Sequence, residues 1–170
     1  MTTEKFSWWK FITGYLFYLL FHEINRLVPG IIGTILGEGF QSVYAHMKML
    51  FYAYLLVAII DFILHRKSIK LEPFLYARMF ILAAVPWLMI VIYYSFEAVG
   101  IFLPGHTELL WGLIMTAVGI YFCIRLETPL DAIPLRGALK ALIVFSFAAS
   151  LITYTGFSFA VPDNFFIAIK

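Results

Sequence analysis

From Val43 to Leu64 the chain reads VYAHMKMLFYAYLLVAIIDFIL, an almost unbroken apolar run. About twenty such residues wound into a helix cover the ~30 Å hydrocarbon core of a bilayer, and a helix satisfies its own backbone hydrogen bonds where no water can. Four more windows of similar character lie at 7–28, 76–96, 108–125 and 138–160. Apolar residues make up 63% of the 170 and charged residues only 13%, a surplus that a water-soluble core of this size cannot hide. The sequence therefore predicts an all-α, polytopic integral membrane protein: a single domain over residues 1–170, with about five transmembrane helices in contact with the lipid bilayer.

Basic residues orient this bundle. In a five-span arrangement Lys5, Lys10, Arg66, Lys67, Lys70, Arg78, Arg125, Arg136 and Lys140 fall on one side, and only Arg26, Lys48 and Lys170 on the other. Basic loops stay cytoplasmic, so a multi-pass protein of the cell membrane is expected, with its N-terminus in the cytoplasm and its C-terminus outside. Lys5 and Lys10 precede an apolar run that leads into HEINR with no small-residue cleavage site, which reads as a retained first span. The stretch LVPGIIGTILG is too short to cross and is broken by Pro29 and glycines. It is expected to form a re-entrant or interfacial link at residues 27–39, with Gly33 and Gly37 spaced to let helices approach closely. The net charge of +2 and dispersed cations exclude the concentrated basic face of a nucleic-acid binder. The single Cys123 has no intrachain partner and reads as a buried, inert thiol.

Polar residues gather toward the outer end. His22, Glu23, Glu38, Ser42, His46, Lys48, Tyr94 and Glu97 are the candidates for ligand binding or proton relay, because ionisable groups near hydrocarbon must be paired, hydrated or functional. Spacing of four residues puts Glu38, Ser42 and His46 on one helical face, and Tyr18 and His22 on another. Two histidine-bearing stripes can therefore meet. Lys48 is expected to snorkel outward, while Asp61 and His65 form an i, i+4 ion pair at the inner rim. Pro86, preceding Trp87, is expected to kink the third span and open a pocket beside Tyr93 and Tyr94.

No zinc-protease motif is present, since Arg26 stands where HEINR needs a second histidine. A site assembled across helices from His22, His46 and Glu97 has suitable ligand chemistry, yet no metal or cofactor is assigned. Phosphate loops, nucleophile elbows and CxxC pairs are also missing, so no catalytic residue is named.

FQSVYAHMKMLFYAYLL resembles a family of small prokaryotic polytopic membrane proteins known only as a domain of unknown function, whose pattern opens the second span with an NESVWEHLK-like motif. Ser42, Val43, His46 and Lys48 match it by position, Tyr44 replaces its tryptophan, and His22 matches the histidine that ends its first span. Phe40, Gln41 and Ala45 stand where the pattern has Asn, Glu and Glu. The similarity extends through Pro86 and the Tyr93–Tyr94 pair to FSFAVPDNFF, and implies topology more than activity. Three functions stay open: binding or transport of a small solute or ion in an outward-facing polar cavity, a membrane-embedded enzyme acting on a lipid or apolar substrate, and an accessory subunit. The last would bring a membrane-protein partner, and a homo-oligomer is compatible with any of the three.

Overall fold

The computed structural model of the protein describes residues 6–37, 42–100 and 106–159, without the side chains of residues 96, 97 and 106–109. These residues form a six-helix bundle with no strand among them. In chain order the helices are α1 (Trp8–Leu27), α2 (Ile31–Leu36), α3 (Val43–His65), α4 (Leu71–Ala98), α5 (His106–Asp131) and α6 (Gly137–Gly156). Four of them are long and apolar enough to cross a membrane: α3, α4 over Leu71–Ser95, α5 over Leu110–Asp131, and α6. The fifth expected span, α1, has twenty residues, about 30 Å of helix. Lys10, His22, Glu23 and Arg26 make it more polar than the other four.

α3 is the axis of the bundle and packs against α1, α2, α4 and α5, while α6 packs mainly on α4 and meets α3 through Phe147 and Tyr154. That position explains the composition of α3, whose residues from Met47 to Tyr54 are all nearly inaccessible. The five long helices alternate in direction. The starts of α1, α4 and α6 and the ends of α3 and α5 therefore share one end of the bundle, which also carries Arg66, Lys67, Arg125 and Arg136. Trp8 and Trp9 are exposed there, as interfacial indoles should be.

The link after α1 turns at Gly30, whose φ of 104° favours glycine. α2 then folds back along the C-terminal end of α1. A Cβ on Gly33 would come within 2.2 Å of the Val28 carbonyl oxygen, and one on Gly37 within 2.7 Å of both the Gly33 carbonyl oxygen and Ile24 Cγ2. The expected close approach is thus made between the link and the helix that precedes it.

Two prolines sit inside helices without ending them. α4 continues through Pro86, and in place of a pocket Trp87 fills the space against α6, donating Nε1–H to Ser150 Oγ at 3.0 Å and stacking on Tyr154 at 5.3 Å. α5 continues through Pro129 to Asp131, six residues past the expected end at Arg125. The Tyr154 ring is fully buried among Tyr44, Phe51 and Trp87, and its hydroxyl has no hydrogen-bond partner among the described residues. Because an unsatisfied buried hydroxyl is costly, Tyr154→Phe should leave the thermal midpoint unchanged or raise it. A clear drop in a detergent melting curve would show that the hydroxyl is satisfied.

Candidate functional site

Two polar sites lie at opposite ends of the bundle. At the end away from the basic loops, α1 and α3 bring His22 and His46 together with ring centroids 5.8 Å apart and planes inclined by 28°. Tyr18, one turn before His22, places its hydroxyl 2.8 Å from His46 Nδ1. The i, i+4 pair Tyr18 and His22 thus flanks one imidazole from the neighbouring helix, which is the meeting that their spacing predicts. His46 is half-buried, and the His22 side chain keeps 26% exposure. A ring held between a phenol and a second imidazole can accept a proton on one side and pass one on from the other, or offer a nitrogen to a ligand.

The other residues expected here behave differently. Glu23 points to the exposed side, 3.0 Å from Arg26 Nη1 and 3.5 Å from His22 Nδ1. α3 begins at Val43, so Ser42 is not on its face. It caps the helix instead, accepting the Ala45 amide at 3.0 Å, which satisfies one of the first-turn N–H groups. Lys48 does not snorkel. It is 3% exposed, and its ammonium donates to the Thr34 carbonyl at 2.9 Å and to Ser158 Oγ at 3.0 Å, tying α2 to the turn after α6. Tyr94 meets Tyr93 edge-on at 5.5 Å. Glu38 and the Glu97 side chain lie outside the described residues. Among the described residues no group of three or more His, Cys, Asp or Glu converges as a metal site.

At the basic end stands a site that the sequence did not reveal. Lys10 Nζ donates to Asp61 Oδ2 and to Glu127 Oε2, both at 2.6 Å. Glu127 also accepts from the Tyr54 hydroxyl at 2.8 Å and from Arg78 Nη2 at 3.3 Å, and Arg78 Nη1 reaches Asp131 at 2.5 Å. His65 Nδ1 lies 3.0 Å from the second oxygen of Asp61. Lys10, Asp61, Arg78 and Glu127 are each no more than 8% exposed, and they come from four different helices. Asp61 therefore belongs to a buried cluster rather than to a rim pair with His65 alone, and Lys10 and Arg78 are enclosed with it. The cluster floors a cavity of about 1250 Å³ that is also lined by Trp9, Phe74, Lys70 and Arg125.

One local signal is present: Glu127 and Asp131 are four residues apart and follow Cys123 along one face of α5, beyond the 108–125 window that the sequence marks as the span. Compared with protein-family models, curated proteins and solved structures, the chain matches none.

Proposed function

We propose that this multi-pass protein binds, and moves across the membrane, a small solute or ion, and that His22 and His46 recognise it at the extracytoplasmic end. The N-terminus is cytoplasmic in this reading, α1 crosses as the fifth span, and the chain is an outlying member of the family that FQSVYAHMK resembles. One observation carries the proposal: imidazoles from two helices stand side by side, half-buried, with Tyr18 hydrogen-bonded to one of them. A purely structural helix end has no need of that arrangement, since exposed polar residues at an interface are solvated one at a time. Lys48 supports the site from behind by fixing α2 and the turn after α6 around the start of α3.

The test is flux and binding in proteoliposomes against a panel of protons, alkali and divalent cations and small organic solutes. Losing one ligating hydrogen bond, worth roughly 1.4 kcal/mol, weakens binding about tenfold. His46→Ala and His22→Ala should therefore each lower the apparent affinity for the responsive species by at least that factor. Tyr18→Phe, which keeps the ring and removes the hydroxyl, should act in the same direction and less strongly. Identical flux and binding in wild type and His46→Ala for every species tested would refute the proposal.

A further inference from the structure

We infer that the cavity at the basic end is a second binding site, independent of the imidazole pair, for an oxyacid anion: a phosphate ester or a carboxylate. Its lining holds four cationic side chains, Lys10, Lys70, Arg78 and Arg125. Three anionic ones, Asp61, Glu127 and Asp131, face them, leaving a formal surplus of one positive charge among the Lys, Arg, Asp and Glu side chains. The enclosed Lys10 and Arg78 are matched by Asp61 and Glu127, so the surplus positive charge lies on the exposed Lys70 and Arg125, which draw a counter-ion of the opposite sign to the mouth.

Arg78 supplies the specific recognition. The residue is 6% exposed, and its guanidinium lies over the Phe74 ring at 4.2 Å and uses Nη1 and Nη2 on Asp131 and Glu127. Its Nε–H has no hydrogen-bond partner among the described residues. A buried unmatched donor costs free energy, and a small turn of the guanidinium toward the cavity would offer this one N–H to an oxygen of a carboxylate or phosphate.

The volume exceeds the 300–1,000 Å³ typical of small-molecule pockets. Phe6, Trp9, Ile69 and Ile124 add an apolar wall to the charged floor. An anionic lipid headgroup, with its glycerol and first methylenes on that wall, fits this combination, and so does a free organic phosphate. Lys70 and Arg125 are exposed at the mouth, where each adds attraction for an anion.

The experiment uses the full chain in a phosphate-free, uncharged detergent, with thermal midpoint as the readout. One arm titrates a short-chain phosphatidylglycerol, and the other titrates inorganic phosphate, glycerol 3-phosphate and acetate. Saturable stabilisation by the lipid alone identifies a headgroup site, and stabilisation by the soluble anions as well identifies a solute site. Either supports the inference if Lys70→Gln combined with Arg125→Gln weakens the response by at least about tenfold. Arg78→Lys retains the charge but not the fork and should also lose the response. Should that variant fail to fold, the exposed double variant decides alone. His46→Ala should respond as wild type does, which separates this site from the imidazole site. No saturable response to any probe, or an undiminished response in the double variant, overturns the inference.

Discussion

Glu127→Ala should be among the most destabilising single substitutions in this protein. The carboxylate accepts from Lys10, Arg78 and Tyr54, and all four side chains are buried. Removing it leaves an ammonium and part of a guanidinium without their counter-charge, and breaking a buried ion pair from one side costs about 3–5 kcal/mol. Melting in detergent should show a large fall in midpoint. Glu72→Ala provides the contrast, because Glu72 pairs with Lys140 on the exposed surface of the same end, where a pair contributes little. Similar melting curves for the two variants would mean that the buried cluster holds nothing together. A paired change, Lys10→Met with Asp61→Asn, should cost less than the sum of its two single changes, since it removes charges of opposite sign together.

Gly33→Ala is expected to detach α2 from α1. The added methyl would meet the Val28 carbonyl oxygen at 2.2 Å and the Asn25 backbone at 3.1 Å, and a backbone cannot swing aside as a side-chain terminus can. Overpacking of this kind costs about 1–3 kcal/mol. The Lys48 bond to the Thr34 carbonyl should be lost with it. Gly119→Ala is the matched control: its methyl would approach Leu50 Cδ2 at 2.7 Å, a terminal methyl that can rotate away. A cysteine placed at Thr34 should react with a thiol reagent faster in the Gly33→Ala background than in the Gly119→Ala background. Equal rates would show that α2 tolerates a side chain at position 33.

The His22–His46 meeting was legible because it depends on local spacing. Tyr18 and His22 share a stripe of α1, and His46 lies in the first turn of α3, so an antiparallel pairing of neighbouring helices is enough to join them. The expected sharing of a helical face by Ser42 and His46 failed for an equally local reason: Ser42 is worth more as a cap, and the helix starts after it. The pocket expected behind Pro86 is filled by Trp87, whose partners Ser150 and Tyr154 lie more than sixty residues away.

The sequence alone determined the material of the protein and its long elements. Apolar runs of membrane-spanning length leave the helix as the available backbone solution, and the uneven distribution of lysine and arginine favours one direction for the bundle. Tertiary structure alone decided which charges are buried together. Lys10 lies 51 residues from Asp61 and 117 from Glu127, and no periodicity links positions so distant. Only the packing of α1, α3, α4 and α5 turns charges that look like separate helix ends into one enclosed ionic site, because a charge near hydrocarbon is held by whichever opposite charge the fold brings to it.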